Sequence, residues 1–270
     1  MNKISQYIFS TVLGLVVFFF WIILHPYDLS FQEQNQLFLF TWDYFLERIS
    51  VCGGLADYIA EFITQFNYIP YLGEALMALL FVIFQIVTAA SICRKEWYVL
   101  SFITPVMMLV YMNDIYVMLC YLIALIIAAS MCALYRRYPG VLWACIATVL
   151  GYWLIGPAIF VFTLFAVLRE RNWNSLILVA VAVLTLVVSK WTYLQQYPWK
   201  TLVFGVNYYR HALVVPPMQL VIAAAAVLVP AFSDLLPKPK TYVNFALGLL
   251  IAAAGAFGCW LDYEKDVVEI

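Results

Sequence analysis

The sequence predicts an all-α protein in which a bundle of about nine transmembrane helices forms a single domain over residues 1–270. Hydrophobic residues make up 66% of the chain and the mean hydropathy is +0.95. A soluble domain could not cover that much apolar material with its polar residues. The apolar residues also fall into runs of about twenty, the length at which a helix crosses the hydrocarbon core of a bilayer. The net charge of −1 offers no basic surface for nucleic acid.

The spans can be placed from these runs and from the charges between them. The clear runs are residues 7–25, 73–93, 97–113, 115–135, 174–190, 215–233 and 241–260. Residues 140–168 are too long for one span and are interrupted by Gly156-Pro157, which predicts either a hairpin of two short helices or one broken helix. Charge favours the hairpin. Arg136-Arg137 precede the segment and Arg169 and Arg171 follow it, so both clusters are cytoplasmic only if the segment crosses twice.

With this hairpin the N-terminus is predicted to be cytoplasmic and the C-terminus extracytoplasmic, in a bacterial inner (plasma) membrane. Nine of the 14 Lys and Arg residues then lie on the cytoplasmic side, as the positive-inside rule requires. The loops 26–72 and 191–214 are predicted to be extracytoplasmic. Residues 261–270 are polar, and we expect them to begin a larger extracytoplasmic region.

The loop 26–72 interrupts the apolar pattern and holds much of the acid of the chain. Its apolar residues recur at helical spacing, as Phe38, Trp42, Phe45 and Ile49 and then as Leu55, Ile59, Phe62 and Phe66. This pattern predicts two amphipathic helices, over residues 31–50 and 53–67, that meet near Gly53-Gly54 and lie in the membrane interface. Two readings stay open: helices that line a cleft with their acids, and helices that only brace the bundle.

Two stretches of this loop carry a family resemblance. They are Tyr27-Asp-Leu-Ser-Phe-Gln-Glu33-Gln-Asn35, after the first span, and Phe66-Asn-Tyr-Ile-Pro-Tyr-Leu-Gly73, at the entry to the second. With the two juxtamembrane helices between them, they resemble the core of the GT-C glycosyltransferases, which use polyprenyl-phosphate-linked sugars. Tyr71 replaces the second Pro of the aromatic-x-His-Pro-Pro-Leu-Gly pattern of protein O-mannosyltransferases, and Gln32-Glu33 stands in place of an acidic pair. The chain is also similar to an uncharacterised family of bacterial membrane proteins.

The resemblance implies transfer of a sugar from a polyprenyl-phosphate donor to an extracytoplasmic acceptor, by this chain as an enzyme or as the membrane module of one. An acceptor hydroxyl loses its proton to a carboxylate as it attacks the anomeric carbon, and the departing phosphate needs positive charge from Arg, Lys or a metal. The predicted site residues are Glu33 as base with Asp28 as its substitute, Asp57, Glu61 and Tyr68 in an acceptor cleft, and Lys200, Arg210 and His211 at the donor phosphate. No metal ligands are assigned, and a divalent cation stays open as a cofactor.

Two other functions remain as alternatives. The chain could be a non-enzymatic scaffold that anchors an extracytoplasmic partner or domain, with the cations and aromatics of loop 191–214 forming an ordinary interfacial belt. A small-solute or lipid transporter is disfavoured, because the predicted spans hold no charge near their centres and show no internal repeat.

Overall fold

The computed structural model describes residues 3–170, 173–205, 207–211 and 213–268, which form an all-α bundle. The helices are α1 (Lys3–Ile23), α2 (Asp28–Gln34), α3 (Trp42–Ile49), α4 (Gly54–Thr64), α5 (Leu72–Ser91), α6 (Ile103–Tyr111), α7 (Leu119–Arg137), α8 (Val141–Ile155), α9 (Ile159–Arg169), α10 (Trp173–Thr192), α11 (Trp199–Phe204), α12 (Pro217–Phe232) and α13 (Thr241–Val268). Short 3-10 segments lie at Gln65–Tyr68, Lys95–Phe102 and Gly156–Ala158.

Within the described residues, 6 segments are long and apolar enough to cross a membrane, so the chain is a multi-pass membrane protein. They are Ser5–Ile23, Leu72–Ser91, Leu119–Arg137, Val141–Arg169, Trp173–Thr192 and Tyr242–Leu261. The other predicted spans are not helices of that length. Residues 97–113 divide into a 3-10 segment and α6, and α12 has 16 residues. Inside the 3-10 segment Trp97 leaves the helical conformation, and its indole N–H donates to the carbonyl oxygen of Pro237 at 3.0 Å.

Residues 141–169 fold back on themselves at Gly156. The hydroxyl oxygens of Thr148 and Thr163 lie 2.9 Å apart, although residues 15 apart along one continuous helix would be separated by about 22 Å. The rings of Trp143 and Phe162 stack with centroids 5.6 Å apart. Gly156 has φ +76°, which a residue with a Cβ rarely adopts. Of the two predicted alternatives, the hairpin is therefore confirmed.

The bundle has two chemically different ends. At the arginine end, Asp234 accepts hydrogen bonds from Arg136 Nη2 at 2.6 and 2.8 Å and from Arg169 Nη1 at 3.2 Å. Arg171, which was predicted to lie with Arg169, is outside the described residues. At the cleft end, Gly53 N–H donates to the carbonyl oxygen of Trp153 at 2.8 Å and so ties the tip of the hairpin to the start of α4. Both arms of the hairpin therefore run between the two ends.

The loop 26–72 is more broken and more buried than its sequence predicted. The expected helix over residues 31–50 is wrong, because α2 ends at Gln34 and the chain runs on without helical structure until α3. This irregular segment lets Phe38 bury its ring against Tyr58 and Phe62, at centroid distances of 5.0 and 5.5 Å. The second expected helix is present as α4. It packs against α7 and α8 as part of the bundle, whereas α3 has no buried residue.

Candidate functional site

A cleft with a cavity of about 320 Å³ opens at the cleft end. Four parts of the chain form it: the segment before α3 with α3 itself, α4, the start of α7, and the loop after α11. Its lining residues are Gln36, Arg48, Val51, Asp57, Ala60, Glu61, Met118, Cys120, Asn207, Tyr209 and Arg210. The cleft therefore combines carboxylates, amides and cations from distant stretches of sequence.

Helix α4 supplies both carboxylates. Asp57 and Glu61 are four residues apart, so they share one helix face, and the small residue Ala60 between them lets that face approach the bundle closely. The bulky Phe62 points outward and is 36% exposed.

The turn between α3 and α4 requires two glycines. Gly53 has φ +85°, and a Cβ on Gly54 would lie 1.7 Å from the carbonyl oxygen of Arg48. Trp153 holds the turn from the hairpin side, since its indole N–H donates to the carbonyl oxygen of Ile49 at 2.9 Å. The tight turn brings Arg48 at the end of α3 opposite Glu61 on α4.

The charge of Glu61 is compensated by side chains that this turn brings next to it. Arg48 Nη2 lies 2.6 Å from Glu61 Oε1, and the Tyr44 hydroxyl donates to Glu61 Oε2 at 2.5 Å while it accepts from Arg48 Nε at 3.0 Å. Burial and the neighbouring carboxylate raise the pKa of Tyr44, so its hydroxyl stays protonated as a donor. Tyr44, Arg48 and Glu61 therefore form a closed cluster, named here the Glu61 clasp.

Asp57 has no such cationic partner. Its Oδ2 accepts a hydrogen bond from Asn207 Nδ2 at 2.5 Å. Burial raises the pKa of Asp57 to about 6, and hydrogen bonds from Cys120 and Asn207 offset only part of that rise. Repulsion from Glu61 adds to the rise and attraction by Arg48 opposes it. The Asp57 carboxyl can therefore take up and release a proton near neutral pH.

Arg210 is the cation of the cleft that lacks a carboxylate partner within the described residues. Its guanidinium lies 5.1 Å from the centroid of the Phe31 ring. Its backbone N–H donates to the carbonyl oxygen of Tyr116 at 2.9 Å, beside an isolated antiparallel bridge between Val117 and Tyr209. The loop before α7 thus fixes the backbone of Arg210 and leaves its charge available for an anion.

Three predicted site residues meet in this cleft: Asp57, Glu61 and Arg210. Arg210 is more than 140 residues from either acid in the sequence, so the tertiary fold alone brings it to them. The grouping of donor and acceptor residues in one place is what the resemblance led us to expect, while the roles given to them stay predictions.

The two residues predicted as the base lie outside the cleft lining. Asp28 Oδ2 pairs with His25 Nδ1 at 2.6 Å at the start of α2. Glu33 is partly exposed and has no side-chain partner among the described residues. Leu29 and Gln32 are the buried residues of α2, and Glu33 lies at the edge of that buried face, outside the lining of the cleft.

The remaining predicted residues also lie outside the lining. Tyr68 is 80% exposed after α4. Lys200, in the first turn of α11, is exposed as well. The exposed His211 follows Arg210 and lies against the ring of Tyr116, with centroids 5.1 Å apart.

The sequence did not single out several residues of the cleft. Asn207 lies in the loop between Lys200 and Arg210, and its position among predicted phosphate ligands was the one available signal. Gln36 leaves its amide oxygen buried without a hydrogen-bond partner at the cleft wall. Among the described residues, no group of three or more His, Cys, Asp or Glu could hold a metal ion.

Comparison with known proteins supplies a family. Residues 1–266 match the sequence model of a family of unknown function, DUF6057. The chain belongs to this family. No curated protein and no solved structure matches the chain. The result agrees with the resemblance to an uncharacterised membrane-protein family and adds no support for the resemblance to the GT-C glycosyltransferases, which stays a prediction.

In this DUF6057 protein the cleft holds the elements of acid–base chemistry on an anionic ligand. A carboxyl group titrating near neutral pH faces the same cavity as an arginine without an acidic partner in the described part of the chain. The second carboxylate, Glu61, is already bound within the Glu61 clasp. Asp57 is left to exchange protons, and Arg210 is left to bind negative charge.

Proposed function

We propose that the protein is a GT-C-like glycosyltransferase, or the membrane module of one, that transfers a sugar from a polyprenyl-phosphate donor to an extracytoplasmic acceptor. The observation that carries the proposal is the cavity shared by Asp57, whose pKa is raised to about 6, and Arg210, which lacks an acidic partner in the described residues. A base and a phosphate-binding cation are the two groups that the reaction needs.

In this mechanism Asp57 takes the proton of the acceptor hydroxyl as the new bond to the anomeric carbon forms. The bond from that carbon to the phosphate oxygen breaks, and Arg210 stabilises the negative charge of the departing lipid phosphate. Asn207 orients the Asp57 carboxylate through its 2.5 Å hydrogen bond. We assign the base to Asp57 rather than to Glu33 or Asp28, because only Asp57 lines the cavity that also contains Arg210.

The proposal can be tested with purified protein and undecaprenyl-phosphate-linked hexoses as donors, by measuring the release of undecaprenyl phosphate in the presence of a cell-envelope extract as the source of acceptors. Asp57→Asn keeps the size of the side chain and removes the base, so we expect release to fall by on the order of 10²–10⁴-fold. Glu33→Gln is the matched control and should stay near the wild-type rate. Equal turnover by Asp57→Asn would refute the base assignment.

A non-enzymatic scaffold that anchors an extracytoplasmic partner or domain is the second candidate. It is favoured by the internal pairing of the cleft carboxylates, Asp57 with Asn207 and Glu61 with the clasp, because buried polar groups that only stabilise a fold are paired in this way. No donor turnover by the wild-type protein, with correct folding in detergent, is the result that this candidate predicts.

We also propose the finer topology of nine crossings, with the N-terminus and the arginine end cytoplasmic and the cleft end extracytoplasmic in a bacterial inner membrane. Support comes from the hairpin, whose tip contacts Gly53 while Arg136 and Arg169 both reach Asp234 at the other end. The exposed native Cys93 lies next to Arg94 and serves as a reporter. In intact spheroplasts an impermeant maleimide should label Lys200→Cys and leave Cys93 unmodified until the membrane is permeabilised. Labelling of Cys93 from outside would reverse the orientation.

A further inference from the structure

The arginine end carries more positive than negative charge. Its described cations are Arg94, Lys95, Arg136, Arg137, Arg169, Lys238 and Lys240, and its carboxylates are Glu96, Glu170 and Asp234. The cleft end differs, since there the charges of Arg48 and Glu61 cancel. The two ends of one bundle therefore present different surfaces to the two leaflets of a membrane.

Two of the three carboxylates at the arginine end are already occupied. Asp234 is shared by Arg136 and Arg169, so one of those two guanidinium charges is not compensated by it. Glu170 Oε1 accepts a hydrogen bond from the Tyr135 hydroxyl at 2.6 Å. Even when all three carboxylates are counted, four of these seven cations have no counter-charge among the described residues of this end.

Backbone carbonyls hold two of the guanidinium groups in place. Arg94 Nη1 donates to the carbonyl oxygen of Leu236, and Arg136 Nη1 donates to that of Ser91. A neutral carbonyl fixes the geometry of a guanidinium without cancelling its charge, and each guanidinium has five N–H donors, so further donors remain for an anion. Arg169, 34% exposed, is the most accessible of the cations that converge on Asp234.

Exposed aromatic residues flank these cations. Tyr138, Trp173 and Tyr242 are exposed, the guanidinium of Arg137 lies 5.5 Å from the Tyr138 ring centroid, and the ammonium of Lys240 lies 5.8 Å from that of Tyr242. Tyr and Trp collect at the level of lipid headgroups, where one part of the side chain is apolar and another is wet. Cations beside exposed Tyr and Trp are the combination found where a membrane protein meets lipid headgroups.

We propose that the arginine end is a binding surface for anionic phospholipid headgroups, contacted by Arg137, Arg169 and Lys238. The occupant is a lipid because the basic surface is continuous with apolar helix surface: α10, which begins at Trp173, buries only Leu178 among its described residues. Each Lys or Arg near an anionic membrane surface contributes about 1 kcal/mol, which corresponds to about fivefold in affinity.

The test uses the full chain purified in a neutral detergent and follows its thermal unfolding midpoint as phosphatidylglycerol or phosphatidylcholine is added. Phosphatidylglycerol should raise the midpoint, and phosphatidylcholine should not. The double variant Arg137→Gln/Lys238→Gln replaces two exposed side chains and should require about 25-fold more phosphatidylglycerol for the same rise at low salt, with a smaller difference at high salt. Lys190→Gln, in the last turn of α10 at the cleft end, is the charge-matched control and should show its own rise at the same phosphatidylglycerol concentration as the wild type.

Three results would overturn the proposal. The first is equal stabilisation by the two lipids, and the second is a double variant that requires no more phosphatidylglycerol than Lys190→Gln. The third is stabilisation by soluble glycerol phosphate at the concentration at which phosphatidylglycerol acts, which would mean that a free phosphate rather than a lipid surface is the ligand. If the double variant does not fold, the single variant Arg137→Gln is measured in its place, and it should require about fivefold more phosphatidylglycerol than the wild type.

Discussion

The cleft end and the arginine end each place an aspartate beside groups that can hold it, and the partners differ in kind. Asp234 at the arginine end collects two guanidiniums and remains 34% exposed. Asp57 at the cleft end is held by the neutral amide of Asn207, and burial raises its pKa to about 6. Asp234 ties the end of α12 to Arg136 of α7 and Arg169 of α9, and so serves structure. A buried carboxylate held by a neutral amide has a pKa closer to neutral pH, so it can exchange a proton there, as general-base chemistry requires.

The comparison predicts the largest stability loss where a buried guanidinium is removed. Arg136→Met should lower the free energy of unfolding by about 2–4 kcal/mol, because Asp234 and the carbonyl of Ser91 both lose a donor in a poorly solvated place. Arg169→Met removes the weaker and more exposed contact and should cost about 1 kcal/mol or less. Unfolding of both variants in mixed detergent micelles measures the difference. Equal losses would mean that exposure does not distinguish the two arginines.

An intermediate effect should appear in the pH dependence of stability. The pKa of Asp57 in the folded protein, about 6, lies above its ordinary value of 3.8, so the folded state holds the proton more tightly than the unfolded chain does. The stability contributed by protonated Asp57 is complete at low pH and is lost as the pH rises from about 4 to about 6, by about 1–3 kcal/mol. Asp57→Asn should lack this decline when unfolding is compared at about pH 4.5 and about pH 7.5. A decline of the same size in the variant would assign it to other groups.

The smallest expected effect concerns the Glu61 clasp. Tyr44→Phe removes a hydroxyl that donates to Glu61 and accepts from Arg48, but the direct contact between these two charged groups remains. We expect a loss of about 1 kcal/mol in the free energy of unfolding. Tyr58→Phe on α4, whose hydroxyl has no hydrogen-bond partner among the described residues, is the matched control. A loss from Tyr44→Phe no greater than that of the control would show that the hydroxyl does not support the clasp.

Local patterns were enough for the parts of the fold that depend on neighbouring residues. The apolar runs predicted the long helices, and the arginines on either side of residues 140–168 selected a hairpin at Gly156-Pro157 over one broken helix. The prediction of one helix over residues 31–50 was wrong, although its apolar spacing was helical. Phe38 fits that spacing, but burial of its ring against Tyr58 and Phe62 stabilises an irregular segment instead of a helix. The sequence pattern alone does not contain that contact.

By itself the sequence determined three things: that the chain is a multi-pass membrane protein, that its acids concentrate in one loop, and that two glycines separate the helices carrying those acids. Composition, run length and turn chemistry are local properties, so they can be read from the sequence. Only the tertiary structure decided which acids share a cavity with a cation. Asp57 lines the cavity with Asn207 and Arg210 because α4 packs its small-residue face against α7, while Glu33 on α2 lies outside that lining. Helical phase and long-range packing set these orientations, and both depend on contacts between residues far apart in the chain.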